Sequence, residues 1–386
     1  MKNRFLQLMA LFFILPLCAV FAQEDYKVKD AKLTYQNEDF YDVEIYDHEQ
    51  LKFKKYPKNI ILLIGDGMGV SQVFAGITAN KGILHLQNMK TIGFSKTQSA
   101  SNYITDSAAG GTALACGKKT YNGAIGVGPD KEPIESILEI AESNGLATGL
   151  VSTSSITHAT PASFIAHQPK RSMYEEIAAD FLLTDIDVFI GGGESFFNQR
   201  KDGRNLTEEL EAKGYQIFNS LDAASSVNEG KLGVLTAPAH NDKFSERGDM
   251  LLQATDKAVE ILQKNKNGFF LMVEGSQIDW GGHANNTSFV VGEMLDFDKV
   301  VGQVLKFAAS NRETLVIVTA DHETGGMALE DSDIAAGKVQ ASYTSTDHTG
   351  VMVPVFAFGP GAAEFMGIYE NTAVFDKMLK LYRFDK

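Results

Sequence analysis

The chain is short of cysteine, tryptophan and positive charge. Its 386 residues include 2 Cys and 1 Trp, and 35 Lys and Arg stand against 49 Asp and Glu, a formal net charge of −14. So few cysteines exclude a disulfide-stapled scaffold. Cys18 lies in the N-terminal apolar run, which leaves Cys116 without an intramolecular partner once that run is removed. Cys116 then reads as a small buried hydrophobe. The acidic balance argues against nucleic acid or an anionic membrane surface as a partner. There is no internal repeat and no low-complexity linker. With 44% apolar residues the chain has ample material for a large core, and with no disulfide to help, bound metal is a candidate source of extra stability.

The N-terminus, "MKNRFLQLMALFFILPLCAVFAQ", has a basic start at Lys2 and Arg4, an apolar run, and the small-residue pattern Val20-Phe21-Ala22. It reads as a secretory signal cleaved after Ala22. The expected organisation is a signal peptide over 1–22 and a single catalytic domain over 23–386, exported to the periplasm or the medium. Pro16 and Leu17 are poor neighbours for lipid attachment at Cys18.

The runs at 59–65, 148–153, 188–193, 268–275, 314–320 and 353–359 are continuous Val, Ile, Leu and Phe, as in strands covered on both faces of a mostly parallel sheet. Helix-period segments at 134–145, 173–183, 206–214, 251–265, 297–310 and 372–382 alternate with them. This predicts an α/β fold with a doubly wound, mostly parallel central sheet flanked by helices and carrying small surface insertions. Residues 23–55 read as an arm or edge addition, and 330–347 as a surface excursion.

Acids and imidazoles gather just after those strands: Asp66 after the first, Glu274 and Asp279 after "FFLMV", Asp321 and His322 after "LVIVTA". Ligands in open α/β sheets bind outside the carboxyl ends of strands. With His283 in "DWGGH" and His348 in "DHTG", they form a set of carboxylates and imidazoles suited to zinc, while all-oxygen sites suit magnesium. Any one of them alone would be a cap, a salt bridge or a core histidine. "ITDSAAGG", residues 104–111, places an acid and a hydroxyl ahead of bare backbone at a helix start. Ser107 there reads on its own as a helix cap, at a helix end that also favours an anion. The bare backbone after it allows something to approach the helix end closely.

The blocks "LIGDGMG", "YITDSAAGGTALACGKKTYNGAIG", "ITHATPASFIAHQPKR", "VEGSQIDWGGH", "TADHETGG" and "HTGVMVPVFAFGPG" together resemble the alkaline phosphatase family, in that family's order, over residues 60 to 361. The resemblance implies one zinc held by Asp279, His283 and His348, and a second by Asp66, Asp321 and His322. It implies a magnesium, with zinc as the alternative occupant, held by Asp66, Thr160 and Glu274. It makes Ser107 the nucleophile, Arg171 the phosphate-binding arginine and Asp106 the residue that orients Arg171. It implies hydrolysis of small phosphate monoesters through a phosphoserine, an alkaline optimum and a homodimer. His158 and Trp280 occupy two positions beside the site that vary within the family. Trp280 cannot make the water-mediated phosphate contact of a lysine, which implies easier product release. His48, His85, His167 and His240 match no role and read as structural or surface residues. Asn205-Leu206-Thr207 and Asn286-Thr287-Ser288 match glycosylation sequons.

The alternatives are a phosphodiesterase or sulfatase of the same superfamily and a non-catalytic exported metal- or phosphate-binding protein. Neither Cys116 nor Ser107 sits in the Cys/Ser-x-Pro-x-Arg setting of a sulfatase. Related diesterases typically use a threonine nucleophile and lack the Thr160, Glu274 and Arg171 set.

Overall fold

The structure, a computed structural model, describes residues 33–384. The expected signal segment and Cys18 lie outside those residues. A ten-stranded sheet runs through the molecule. Its strands are β1 (Asn59–Gly65), β2 (Thr91–Lys96), β3 (Ala147–Ser155), β4 (Val188–Gly192), β5 (Tyr215–Phe218), β6 (Lys231–Leu235), β7 (Phe269–Gly275), β8 (Thr314–Thr319), β9 (Val353–Phe358) and β10 (Gly367–Glu370). Their spatial order is β10-β2-β9-β8-β1-β7-β3-β4-β6-β5. Only β9 runs against its neighbours β2 and β8; every other pairing is parallel.

The apolar runs are explained by what covers the sheet. Every residue of β1, β3, β4, β7 and β8 is buried. Side chains alternate across a strand, so Ile61 and Leu63 join one core cluster while Ile60, Leu62 and Ile64 join another. Helices α1 (Val70–Ala79), Met250–Leu262 and the long Thr287–Asn311 contribute to the first cluster. Helices α2 (Ser107–Cys116), Ile137–Ser143, Tyr174–Asp180 and Thr372–Tyr382 contribute to the second. Truncating one such buried side chain, Leu62→Ala for example, costs about 2–5 kcal/mol. Cys116 is buried and free.

All the strands expected from apolar runs are present, and four further strands join them in the sheet. Strands β2, β5, β6 and β10 were not anticipated, because they are short and partly exposed and carry no long apolar run. The helix expected at 297–310 spans Thr287–Asn311, with Asn286 accepting the Phe289 N–H as its N-cap. Helix Ile137–Ser143 starts on a capping box between Ser136 and Glu139, and Gly145 follows it in the left-handed region at φ +74°. The surface excursion contains strand Lys338–Tyr343, which pairs with Thr34–Gln36 of the arm and with Met327–Leu329 in a separate three-stranded sheet. Both sequon asparagines are used as helix N-caps, and Asn286 is buried. Among the described residues no helix is long and apolar enough to cross a membrane.

Candidate active site

Strand register assembles the site. Ile64 of β1 lies between Glu274 of β7 and Thr319 of β8, and Glu274 also pairs with Ser152 of β3. Asp66 and Asp321, each two residues further along, therefore emerge side by side from the central strands. The turn after Asp66 needs glycine. Gly67 has φ +77°, and a Cβ there would lie 2.7 Å from the Asp279 Cα. That closeness lets helix α3 (Gln277–His283) seat Asp279 against the end of β1.

One turn of α3 puts His283 Nε2 3.3 Å from Asp279 Oδ1. His348 Nε2 lies 3.5 Å from the same oxygen and 3.2 Å from His283 Nε2. His348 Nδ1 is 2.9 Å from the Thr105 carbonyl and His283 Nδ1 is 2.7 Å from the Thr346 carbonyl. Carbonyls only accept, so each Nδ1 carries a proton, and in the neutral ring Nε2 is the atom that presents a lone pair toward Asp279. Two lone pairs converging on a carboxylate repel unless a cation lies among them. The His322 ring stacks on His348 at 3.5 Å between centroids. Its Nε2 lies 3.2 Å from Asp321 Oδ2, 3.5 Å from Asp66 Oδ1 and 3.3 Å from Ser107 Oγ.

The donor set is that of a metal centre. Asp279, His283 and His348 offer ligand atoms within 4.8 Å of one another, and so do Asp66, Asp279 and His322. The second group differs from the trio expected from the family, in which Asp321 stood in place of Asp279; Asp321 nonetheless contacts His322 in the same cluster. Asp66, Glu274, Asp321 and Thr160 are fully buried. Both oxygens of Asp66, Glu274 Oε1 and Thr160 Oγ1 have no hydrogen-bond partner among the described residues. Burial, then the neighbouring carboxylates Asp321, Asp279 and Glu274, push Asp66 well above the usual carboxylate range. Burial and Asp279 push Asp321 up to about 7. Asp279 goes the other way: its burial is outweighed by His283 and His348, which hold it below the usual range. Orphaned buried carboxylate oxygens are strongly unfavourable without a compensating cation, so these residues fit metal ions.

Ser107 is the first residue of α2, and Asp106 is the cap. Its Oδ1 accepts the N–H groups of Ala109 at 3.0 Å and Gly123 at 3.1 Å. The cap reading of Ser107 is thereby corrected. Ser107 is left with its hydroxyl at the positive end of the helix, where an anion is favoured. Two of the small residues that follow meet protein at close range. A Cβ at Gly110 would lie 3.0 Å from Asp321 Cβ, and one at Gly111 3.0 Å from Ser163 Oγ. Both glycines let protein segments that carry the site approach the helix closely. Arg171 places Nη1 3.1 Å from Asp106 Oδ2 and Nη2 3.1 Å from His158 Nε2.

The alkaline phosphatase family profile matches residues 57–340 and 330–384. Alkaline phosphatase 4 of Bacillus subtilis is 34% identical over 440 residues, covering 90% of this chain and 94% of that protein. The Escherichia coli K12 alkaline phosphatase is 34% identical over 84% of this chain and 86% of its own length. Among solved structures, the alkaline phosphatase of the Antarctic bacterium TAB5 superposes with a TM-score of 0.82 at 45% identity, covering 86% of this chain and all of that one. The chain belongs to the alkaline phosphatase family.

Several groups of this alkaline phosphatase that support the site escape sequence reading. Thr324 Oγ1 donates to Asp279 Oδ1 and lies 3.2 Å from His322 Nδ1. Ser152 Oγ at 2.6 Å and Ser276 Oγ at 2.8 Å donate to Glu274 Oε2, which turns Oε1 of that carboxylate away from the belt of hydroxyls. Burial still leaves Glu274 above the usual range, with those two serines working against the shift. The run "STSSIT" at the end of a fully buried strand is the signal that would have found this belt, since buried hydroxyls require partners. His158, Trp280 and His240 stand together beside Arg171, with ring centroids 5.2 Å apart for His240–Trp280 and 5.5 Å for His158–His240.

Proposed function

We propose that the chain hydrolyses phosphate monoesters by transferring the phosphoryl group first to Ser107 and then to water. The observation that carries this reading is the position of Ser107. Its hydroxyl sits at the positive end of α2, 3.3 Å from His322 Nε2 and next to the arginine-bearing Asp106. In the first step Ser107 Oγ attacks phosphorus, the bond from phosphorus to the ester oxygen breaks, and the alcohol leaves with a proton. In the second, water attacks phosphorus and the Oγ–P bond breaks, which releases inorganic phosphate and restores the hydroxyl. Arg171 binds non-bridging oxygens in a fork that lysine cannot reproduce. Burial opposes its charge, but Asp106 outweighs burial and keeps Arg171 firmly protonated.

Asp279, His283 and His348 would hold one zinc; Asp66, Asp321 and His322 a second; and Asp66, Thr160 and Glu274 a magnesium. Bound there, such ions lower the pKa of a hydroxyl or water and stabilise charge on attacking and leaving oxygens, chemistry favoured as pH rises. Trp280 gives phosphate no polar contact of the lysine kind, so product leaves readily. Export by the N-terminal segment completes the reading, together with a homodimer. Val70, Phe74, Val351 and Met352 are 41–52% exposed, and three of them line one cavity of about 510 Å³ on the rim next to the site, an apolar surface of the kind that marks a protein contact.

The test is an assay of a chromogenic phosphate monoester and the matching diester at alkaline pH, with and without chelator, for wild type and Ser107→Ala. Monoester preference that depends on both Ser107 and metal is expected. Diester preference, or activity indifferent to both, overturns the reading.

A further inference from the structure

His240 stands in the loop after β6, a strand that brings no other residue to the site. That loop is firmly fixed. A Cβ on Gly192, at the end of β4, would lie 2.2 Å from the Ala239 carbonyl oxygen and 3.2 Å from the His240 Cα. The N–H groups of Gly193 and Glu194 both donate to the Ala237 carbonyl, at 2.9 and 3.0 Å, and that of Ser195 donates to Pro238 at 3.0 Å. Thr236 Oγ1 donates to Asn241 Oδ1 at 2.7 Å. Gln277 Nε2 donates to the Asn241 carbonyl at 2.9 Å, which ties the loop to α3, the helix of Asp279 and Trp280.

The ring is fixed as well. His240 Nδ1 lies 3.0 Å from the Ser155 amide nitrogen. An amide N–H only donates, so Nδ1 is the unprotonated nitrogen. The ring stands at 83° to Trp280 and at 87° to His158, and His158 stands at 90° to Trp280. Mutually perpendicular rings are the edge-to-face arrangement that aromatic quadrupoles favour. His158 in turn accepts from Arg171 Nη2 at 3.1 Å through Nε2. Arg171 is therefore held from two sides, by the Asp106 carboxylate and by an imidazole that leans on His240.

We infer that His240 is a positioning residue for phosphate binding: it buttresses Trp280 and His158 and through His158 fixes the guanidinium plane of Arg171. The inference rests on the reading of Arg171 as the phosphate grip. It differs from a purely structural role, in which the imidazole does no more than satisfy the Ser155 amide.

The experiment uses the full metal-loaded chain and measures kcat and KM for a chromogenic monoester and the inhibition constant of inorganic phosphate. The variants are His240→Ala, His240→Phe, which keeps a ring but no acceptor, and His240→Asn, which keeps an acceptor but no ring. Arg171→Ala serves as the reference. Edge-to-face contacts are worth about 2- to 10-fold in an equilibrium constant. His240→Ala and His240→Asn should raise KM and the phosphate constant together by that factor, with kcat moving less than KM, and His240→Phe should restore the phosphate constant to within about twofold. An unchanged phosphate constant in folded His240→Ala overturns the inference. So does rescue by Asn but not Phe, and that comparison stands even if the alanine variant fails to fold. If Arg171→Ala itself leaves the phosphate constant unchanged, the reading of the site fails and the inference falls with it. If Arg171→Ala raises the constant and His240→Ala does not, the inference alone fails.

Discussion

One carboxylate, Asp106, serves both the helix and the arginine of the site. Its Oδ1 caps α2 through the Ala109 N–H, and its Oδ2 lies 3.1 Å from Arg171 Nη1. The start of the helix that presents Ser107 and the orientation of the Arg171 guanidinium are thus set by the same side chain.

The two jobs separate by substitution. Asn is as good an N-cap as Asp, whereas an Asp→Ala change at a cap costs about 1 kcal/mol. Asp106→Asn should melt close to wild type yet hold Arg171 less firmly, raising the phosphate inhibition constant by roughly 3- to 10-fold. Asp106→Ala should show the same kinetic change and a lower melting temperature. A phosphate constant that falls in Asp106→Asn would mean that the carboxylate repels phosphate more than it orients the arginine.

Metal removal is expected to destabilise the fold as well as stop turnover. Fully buried carboxylates with unpartnered oxygens lose their compensation when cations leave. A cation held at one hundred times its dissociation constant stabilises the native state by about 2.7 kcal/mol per site. Thermal melts with excess chelator should shift clearly downward and recover on adding zinc and magnesium. Identical melts in both conditions would show that Asp66, Asp321 and Glu274 are satisfied without a cation.

A pH-dependent element lies away from the site. His167 Nε2 is 2.9 Å from Glu139 Oε1. Burial works against the imidazolium, but Glu139 and the Gly126 carbonyl outweigh it and raise the His167 pKa. Glu139 is lowered despite its burial, because His167 hydrogen-bonds to it. A raised imidazole pKa gives stability that is complete below the unfolded value, about 6.5, and fades as pH rises through the folded value. A lowered carboxylate pKa gives stability that is complete above its unfolded value, about 4.3, and is lost as pH falls through the folded value. The pair is therefore strongest between those limits and weaker at alkaline pH. His167→Gln should destabilise more at pH 6 than at pH 9, by an excess of about 0.5–1 kcal/mol for so partly exposed a pair. Equal losses at the two pH values would assign the whole effect to the uncharged contacts.

The strand ends were legible in the sequence because fully buried parallel strands read as unbroken apolar runs, and the residues after them are where ligands bind. Asp66, Glu274, Asp321 and His322 were found that way. The short strands β5 and β10 were not, since four partly exposed residues carry no periodic signal. The support around the site was hidden for another reason. The Thr105 and Thr346 carbonyls that set the tautomers of His348 and His283 are backbone groups, the same in any sequence. Thr324 lies in a two-residue strand and His240 in a loop, and nothing in their spacing points to Asp279 or Trp280. Ser107 was legible as a site residue, but only the structure shows that the cap belongs to Asp106.

The decisive measurement is acid-quenched mapping of the phosphoryl group. Enzyme incubated with a monoester near its slowest hydrolytic step, quenched in acid and digested, should yield phosphate on the peptide containing Ser107, and Ser107→Ala should carry none while losing at least about 10³-fold in kcat. A phosphoryl group on another residue, or none at all with Ser107→Ala still active, would contradict transfer through Ser107.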